Sequence, residues 1–433
     1  MHVRSPYDRQ ILRYAVPALG ALAAEPLYVL VDTAVVGHLG RSQLAALGLA
    51  ATVLSVLGMF NFLQYGTTAQ VARATGAGED EIAARLGAQC LWLSLAFGCA
   101  LAVAVAVLAA PVVDLFGAEG ATAGYAVTYL RIAALGIPSA FLAIGGQGFL
   151  RGVSDLRTPL VIVIAGNVVN LVLELWLVYG LDLGIRGSAW GTVAAQTLMG
   201  LAMAVAILRR VHVANAGLRL DLARRLLSLG KFIFIRTVSL LASFVLAGMV
   251  VTRLGDAPLA AHQIAFQLWI FLALVLDAVA IAGQIIVGQE LGAARPDEAF
   301  DASVRMIWLS IAVGTAFAVV LLLLGGVIPQ AFTSDSAVLA QCALLWPIFA
   351  LMQPLNGIVF ALDGILIGAS DGRYLAVSMA FAFAACAAAL AVAWWAGWGV
   401  RGVWLALVVL ILVRLTTLGA RFLRRQWLVT GFA

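Results

Sequence analysis

The chain has 433 residues, of which 64% are apolar and only 11% are charged, and its mean hydropathy is +1.05. A soluble domain is usually about half apolar and a quarter charged, and here the apolar excess extends along the whole chain. These values exclude a soluble enzyme with one membrane anchor, a disordered chain, a collagen and a disulfide scaffold. The four cysteines all lie in apolar runs, a pattern that indicates neither a disulfide framework nor a metal motif. The composition predicts a polytopic membrane protein.

Twelve apolar runs are long enough to cross a membrane as helices, which requires about 20 predominantly apolar residues. Short alternating segments typical of a transmembrane β-barrel are not found. The first run is longer than the core of a signal peptide and eleven others follow it, so we interpret it as a retained span. The predicted spans are residues 11–37, 44–72, 84–113, 124–150, 159–181, 187–208, 226–252, 259–289, 303–328, 338–366, 375–396 and 402–420.

The distribution of arginines predicts the orientation of the spans. With the N-terminus inside, 18 arginines in loops and at span ends lie on the cytoplasmic side, and only Arg41, Arg186, Arg253 and Arg401 lie outside. The positive-inside rule favours this arrangement, so we expect both termini in the cytoplasm and a multi-pass protein of the inner, or cytoplasmic, membrane. The net charge of +5 is explained by this topology and by contact with anionic lipid, and it indicates no nucleic-acid partner.

The two halves of the sequence resemble each other at a nearly constant offset. Val35–Ala46 matches Val250–Ala261 at an offset of 215, with 7 identities in 12, and Gly148–Arg157 matches Gly364–Arg373 at 216, with 6 in 10. This repeat predicts an all-α fold of two parallel six-helix bundles around a central cavity, an N-terminal lobe of residues 1–215 and a C-terminal lobe of residues 216–433. Parallel repeats are typical of carriers whose halves rock about a shared cavity. A duplicated structural bundle without transport is the alternative.

Ionisable residues inside the spans differ between the halves. A charge at mid-bilayer costs about 2.5–3.5 kcal/mol on insertion scales, so by default such a residue lines a polar cavity. The first half has Glu25 and Asp32 in the first span and Glu174 in the fifth, and the repeat places alanine, glycine or leucine opposite Asp32 and Glu174. These two acids, which belong to the first half only, are therefore candidates for chemistry rather than architecture.

Further polar side chains are expected beside the two acids. Asn170 and Asn167 precede Glu174 by four and seven residues, so the three side chains share one helix face. Thr192 of the sixth span is expected at the same depth, since a helix rises 1.5 Å per residue. We therefore predict that Asp32, Asn170, Glu174 and Thr192 form an oxygen-rich cluster. Its two acids, Asp32 and Glu174, are the predicted cation-site acids of the N-terminal lobe.

Such a cluster has three interpretations. Burial disfavours the charged form of a carboxyl group, so the acids are suited to binding and releasing a proton. The oxygens of Asp32, Asn170 and Glu174 are also suited to Na⁺, because hard cations prefer oxygen ligands. Alternatively, each acid is a satisfied interhelical hydrogen-bonding group. Pro26 precedes Asp32 by six residues, and because proline kinks a helix we predict a hinge in the first span.

The second half contains a different set of polar residues. Arg236, Asp277 and Asp363 lie inside the seventh, eighth and tenth spans, and His262 lies near the start of the eighth. We interpret Arg236 and Asp277 as a candidate structural ion pair and Asp363 as a further cation or substrate contact. Gln147 occupies the position of Asp363 in the first repeat, so polarity is kept there and charge is not. With Asn167, these residues form a second tier of candidates for lining the cavity.

Three stretches make the sequence resemble a known family. They are PLYVLVDTAVVGHLG (Pro26–Gly40), NVVNLVLELWLVYGLDLGIRGSAWGT (Asn167–Thr192) and AAHQIAFQLWIFLALVLDAVAIAGQIIVGQELGA (Ala260–Ala293). They resemble the multidrug and toxic compound extrusion (MATE) family. The third, with LDGILIGASD (Leu362–Asp371), is most similar to its DNA-damage-inducible F (DinF) branch.

The resemblance implies twelve helices in two lobes, and export of organic, often cationic or amphipathic, compounds driven by inward H⁺ or Na⁺. It also implies a central role for Asp32, with Asn170, Glu174 and Thr192 as the rest of the first-lobe site. This chain has Glu at position 174, where many members have Asp. Another bacterial branch has an acid in the seventh span, and its absence here argues against a second-lobe Na⁺ site of that kind.

These observations predict a secondary antiporter that exports a small organic solute in exchange for H⁺, with Na⁺ as the second choice of coupling ion. We expect it to need no cofactor and to work as a monomer. No nucleotide-binding loop is found. A lipid-linked oligosaccharide flippase is the first alternative, although further helices and a strongly cationic cavity would then be expected. A sugar-type facilitator is disfavoured because the loop after the second span lacks a basic glycine motif. A membrane-embedded enzyme is a remote alternative, since the four histidines are well separated.

Overall fold

The computed structural model describes residues 6–211 and 217–431, with the exception of the side chains of Pro6 and Glu25. Every regular element in this part of the chain is helical, because in a lipid bilayer a helix satisfies its own backbone hydrogen bonds. The elements are α1 (Pro6–Gly37), α2 (Arg41–Ser55), a 3₁₀ turn (Val56–Asn61), α3 (Phe62–Gly76), α4 (Asp80–Leu115), α5 (Gly120–Ala134), α6 (Ile137–Gly152), α7 (Arg157–Leu175), a π turn (Trp176–Gly180), α8 (Ile185–Leu208), α9 (Leu220–Thr252), α10 (Asp256–Gly292), α11 (Pro296–Leu323), α12 (Ile328–Phe332), α13 (Ser336–Leu351), α14 (Gln353–Gly368), α15 (Gly372–Trp395) and α16 (Gly399–Leu423).

The described helices provide the number of membrane spans that the sequence predicted. Ten helical stretches, one of which joins α2 to α3, are long and apolar enough to cross a membrane. The bent pairs α5–α6 and α13–α14 bring the number to twelve when each pair is one span. Large apolar side chains such as Leu115, Leu323 and Trp395 are exposed, as expected where the solvent is lipid. The predicted all-α, twelve-span fold is confirmed.

Two spans that the sequence predicted as continuous are broken. The angle between α5 and α6 is 52°, and the angle between α13 and α14 is 47°. Pro138 and Pro354 lie at the second position of α6 and α14, where a proline fits the first turn of a helix but cannot donate the backbone hydrogen bond that would link it to the helix before it. Because the two prolines are 216 residues apart, the break is a feature of the repeat.

Two further features recur in both repeats. Gly184 directly precedes α8 and Gly399 is the first residue of α16, with φ of 55° and 59°, a conformation that favours glycine. Ser154 and Ser370 follow α6 and α14 with φ of 64° and 61°, the left-handed position that ends many helices. These residues belong to two elements that both repeats share, Gly-x-Arg-Gly and Gly-x-Ser-Asp-x-Arg, and both elements therefore lie at helix ends.

The contacts within the described chain divide it into two compact units. The N-terminal unit is Gly20–Ser228, and the C-terminal unit contains the residues up to Leu19 and those from Leu229 onwards. These boundaries differ from the predicted halves, residues 1–215 and 216–433. The action of two lobes around a central cavity in transport stays a prediction.

Specific contacts explain why the units and the repeats differ at their edges. In the C-terminal unit, Arg305 of α11 donates two hydrogen bonds, of 2.5 and 2.8 Å, to Asp8 in the first turn of α1. In the N-terminal unit, Arg225 in the second turn of α9 donates a 2.9 Å hydrogen bond to Gln70 of α3. The side chain of Gln89 also binds the chain just before α9, through the carbonyl of Gly217 and the amide of Arg219.

Candidate functional site

The four residues of the predicted oxygen-rich cluster lie on three helices of the N-terminal unit. Asp32 is on α1, Asn170 and Glu174 are on α7, and Thr192 is on α8. All four side chains are buried, with 6%, 2%, 0% and 7% of their surface exposed, respectively. Because charged and amide side chains are seldom buried without a partner, the surroundings of each decide what the cluster can do.

The carboxylate of Asp32 has a neutral hydrogen-bond donor. Ser188, one helical turn before Thr192 on α8, donates from Oγ to Oδ1 of Asp32 over 2.7 Å. Within the described residues, no lysine or arginine forms a salt bridge with Asp32. The acid is therefore held in place by a hydroxyl, and a bound cation or proton would not have to displace a basic side chain.

Glu174 is the most deeply buried of the acids. Neither of its carboxyl oxygens makes a hydrogen bond of ordinary geometry to the described part of the chain, although the carboxyl group lies close enough to Asp32 to interact with it directly. The Oδ1 atom of Asn170, one turn earlier on α7, also has no donor there. The cluster thus contains three buried oxygens that are open to a proton or a cation.

A glycine of α8 allows this helix to approach Glu174. A Cβ atom added to Gly191 would stand 3.2 Å from the backbone nitrogen of Glu174 and 3.3 Å from its Cα. One turn earlier, a Cβ atom on Gly187 would stand 2.8 Å from the carbonyl group of Leu177. Small residues commonly permit such close helix contacts in membranes, and here they bring Ser188 and Thr192 beside the acids.

Three hydroxyl-bearing residues complete the cluster and were missed by the sequence analysis. Tyr28 of α1 and Thr192 share a hydrogen bond of 2.8 Å. Tyr129 of α5 is buried and lies near Thr192 and Ser188. Hydroxyl groups change hydropathy little, so these residues gave no signal against an apolar span. Ser188 had one available signal, because it precedes Thr192 by one helical turn.

A local change of helix geometry follows Glu174 directly. Helix α7 ends at Leu175 and continues as a single π turn, Trp176–Gly180. The hydroxyl of Tyr179 in this turn donates a 2.6 Å hydrogen bond to the carbonyl of Val35 on α1. Such π turns occur frequently at functional sites, and this one connects α7 to α1 three residues beyond Asp32.

The other two predicted residues of this region, Asn167 and Pro26, lie near each other at α1. Asn167 donates a 3.0 Å hydrogen bond to the carbonyl of Ala24 on α1, so it binds the backbone two residues before Pro26. Pro26 lies inside α1, which is helical on both sides of it. The side chain of Glu25 lies outside the described part of the chain.

In the C-terminal unit, Asp363 of α14 has two arginine partners. Arg236 of α9 and Arg414 of α16 both donate to its Oδ2 atom. The predicted partner of Arg236 was Asp277, and Arg414, which lies among the apolar residues of the last span, was not among the predicted site residues. Asp277 lies on α10 and is half-buried. An arginine inside a span was the signal that could have identified Arg414.

The remaining second-tier candidates are also distributed between the units. In the N-terminal unit, Oε1 of Gln147 accepts hydrogen bonds from Gln64 and Arg151 over 3.3 and 3.2 Å. In the C-terminal unit, His262 is buried and stacks on Phe266, with ring centroids 5.7 Å apart. These contacts are made with residues other than the four of the acid cluster.

The chemistry of the acid cluster fits a proton or a hard monovalent cation. Its ligands are carboxyl, amide and hydroxyl oxygens, the type preferred by hard cations. In the described ranges, no group of three or more His, Cys, Asp or Glu side chains is arranged to hold a metal ion. Binding of Na⁺ here would therefore combine Asp32 and Glu174 with the oxygens of Asn170 and Thr192.

Comparison with known proteins identifies relatives along nearly the whole chain. The family model described as MatE matches twice, over residues 17–176 and 233–393. The DNA damage-inducible protein F of Escherichia coli is 33% identical over 97% of this chain and 93% of its own length. The multidrug resistance protein PmpM of Pseudomonas aeruginosa is 27% identical over 96% of this chain and 93% of its own.

A solved structure shows the same fold. The MATE transporter VcmN of Vibrio cholerae, in its bent form, superimposes with a TM-score of 0.88 over 98% of this chain and 97% of its own. The sequence identity is 19%, so this likeness supports the fold alone.

Proposed function

Because the chain belongs to the MatE family, whose members are membrane transporters rather than enzymes, we propose that it exports small organic solutes in exchange for protons. The single observation that carries the choice of coupling site is the pair of buried acids, Asp32 and Glu174, which has no basic partner in the described chain. Two neighbouring carboxyl groups of this kind need a proton or a metal cation to balance their charge. The occupancy of the pair would change during each transport cycle.

The proposed substrates are cationic or amphipathic organic molecules. One relative, PmpM, carries the name of a multidrug resistance protein, and the apolar spans provide a surface for organic solutes. The proposed setting is the inner membrane, with both termini in the cytoplasm and a monomer as the working unit.

Pro26 is proposed to let α1 change shape as Asp32 gains and loses its ion, since the proline interrupts the helix hydrogen bonds six residues away from Asp32.

Sodium is the second candidate for the coupling ion. The oxygens of Glu174 and the Oδ1 atom of Asn170 lack hydrogen-bond donors, which suits them to act as ligands of a hard cation. Proton and sodium coupling use the same residues, so they differ in which gradient drives export rather than in the site.

Efflux from vesicles tests the proposal. The purified protein is reconstituted in lipid vesicles, and transport of ethidium, a fluorescent organic cation, is followed under separately imposed pH and sodium gradients. We expect the pH gradient to drive transport, and Asp32→Asn to reduce it at least tenfold. Asp114→Asn is the matched control, because Asp114 is exposed at the end of α4. Full transport by the Asp32→Asn protein under a pH or sodium gradient would contradict the assignment.

A further inference from the structure

The buried acid of the C-terminal unit differs from those of the N-terminal unit in its partners. Asp363 is 4% exposed and Arg414 is 2% exposed, and both Arg236 and Arg414 form salt bridges with the same carboxylate oxygen. The three residues come from α14, α9 and α16. One carboxylate therefore joins three helices of the unit through charged hydrogen bonds.

Such a cluster strongly resists exchange with ions in solution. Hydrogen bonds between ionised groups are about twice as strong as neutral ones, and removing one partner of a buried pair is strongly destabilising because it leaves an uncompensated charge. Each guanidinium group is also tethered to the protein, so its effective concentration beside Asp363 is far above that of a free cation. A sodium ion or a proton would have to compete with both arginines for the negative charge of one carboxylate.

The repeat shows that the two units have their buried acids at different repeat positions. At the position of Asp363 the N-terminal unit has Gln147, a neutral amide that accepts hydrogen bonds from Gln64 and Arg151. At the repeat positions of Asp32 and Glu174 the C-terminal unit has small or apolar residues, Ala247 or Gly248 and Ala389 or Leu390. Each unit thus has its own position for a buried acid, and among the described residues only the acid of the C-terminal unit is bound by a basic side chain.

We propose that Arg236 and Arg414 act as permanently bound cations of Asp363, so that the coupling ion is exchanged in the N-terminal unit alone. This inference rests on the proposed function for its meaning in transport. Its structural content, a carboxylate occupied by two tethered guanidinium groups, is testable by binding without any transport measurement.

Cation binding to the C-terminal unit is measured in a protein whose other site has been removed. In the full-length double variant Asp32→Asn with Glu174→Gln, thermal unfolding is followed in detergent with sodium, lithium or choline chloride at constant ionic strength. We expect the three salts to give melting temperatures within 1 °C of each other. Adding Arg414→Gln should create a vacancy, so that sodium or 10 mM methylguanidinium raises the melting temperature by about 3 °C or more relative to choline.

Two outcomes would overturn the inference. One is a sodium-dependent rise in the double variant with both arginines intact, which would reveal an exchangeable site. The other is a triple variant that responds to neither sodium nor methylguanidinium. Should the triple variant not fold, Arg414→Lys provides the second test. It keeps a tethered cation and should show no response to sodium, whereas a sodium response would count against the inference.

Transport measurements separate this inference from the proposed function. Asp363→Gln, which copies the residue of the first repeat, should leave the ion concentration for half-maximal ethidium transport within twofold of the unmodified protein. A larger change at equal melting temperature would contradict the role of Asp363 as a fixed pair. Loss of all ion-driven transport in the unmodified protein would contradict the proposed function instead, and would leave the binding result standing.

Discussion

Ser188 donates a hydrogen bond of 2.7 Å from its hydroxyl group to the carboxylate of Asp32. The two residues are 156 positions apart in sequence, and the contact joins α8 to α1 at the acid that the resemblance to a transporter family made central. A hydroxyl can orient a carboxylate without neutralising it. Asp32 is therefore fixed in direction and remains available to an ion.

Ser188→Ala should weaken ion-driven export without unfolding the protein. A hydrogen bond to a charged group contributes about 1.5–3 kcal/mol, so loss of the orienting donor is expected to reduce ethidium transport about tenfold. The measurement is the initial rate in vesicles at a fixed gradient. Ser310→Ala is the control, because it removes a buried hydroxyl of the C-terminal unit that has no hydrogen-bond partner among the described residues. Equal rates for the two variants would exclude an orienting role for Ser188.

Glu174→Gln should stabilise the protein while it impairs export. The carboxyl group of Glu174 is fully buried and makes no hydrogen bond of ordinary geometry to the described residues, and burying a carboxylate costs more than burying an amide. We expect the melting temperature to rise by about 2 °C or more and ion-driven export to fall at least tenfold. Glu119→Gln, at an exposed position before α5, should change neither. A lower melting temperature in Glu174→Gln would indicate that the acid is a structural hydrogen-bonding group.

The sequence was sufficient for the spans because hydropathy responds to every apolar side chain. It could not locate the breaks near Pro138 and Pro354, since a bent span and a straight one have the same composition. The boundaries of the two units could not be predicted from the sequence either. They depend on single contacts such as the one between Asp8 and Arg305, which join residues 297 positions apart.

The candidate site was predicted in part, for a reason that lies in its chemistry. Asp32 and Glu174 stand out because charge inside a span is costly, and Asn170 follows from helix spacing. Tyr28, Tyr129 and Ser188 contribute hydroxyl groups, which are inexpensive to bury once paired and so leave no trace in composition. Their roles depend on which helices are neighbours, and that information is in the packing.

Replacing either of two glycines of α8 with alanine should distinguish an effect on helix packing from an effect on the acid cluster. In Gly191→Ala the new methyl group would stand 3.2 Å from the backbone of Glu174, so the helices must shift by a few tenths of an ångström. We expect export to fall several-fold with little loss of stability. In Gly187→Ala the contact with Leu177 is 2.8 Å, and overpacking of this kind costs about 1–3 kcal/mol. The melting temperature should fall more in this variant.

The export and melting-temperature assays need as their control a glycine at which an added methyl group would touch nothing. A methyl group at Gly124 of α5 would meet no atom within 4 Å, and alanine favours a helix over glycine by about 1 kcal/mol. Gly124→Ala should therefore keep or raise the melting temperature and keep full export. If Gly187→Ala and Gly191→Ala behave like this control, the close approach of α8 to α7 has no role in the site.

Asp155→Ala should remove a pH-dependent contribution to stability at the start of α7. Partial burial raises the pKa of Asp155, but hydrogen bonds from Thr158 and Arg210 outweigh it and hold the pKa below its ordinary value of 3.8. These bonds are 3.0 and 2.7 Å from the amide and hydroxyl of Thr158, and 2.6 Å from Arg210. Because the folded-state pKa is depressed, the stabilisation is fully present above pH 3.8 and is lost as the pH falls through the folded-state value.

We therefore expect the difference in melting temperature between the unmodified protein and Asp155→Ala to be constant from about pH 8 to pH 5 and to shrink below about pH 4. Its size should correspond to about 1 kcal/mol, since Asp155 is part-exposed and caps a helix start. Asp155→Asn keeps an acceptor for Thr158 and loses the charge paired with Arg210. Its melting temperature at pH 7 should therefore lie between those of the unmodified protein and Asp155→Ala. Tryptophan fluorescence during heating provides the measurement. A difference that persists unchanged at pH 3 would show that Asp155 acts there without its charge.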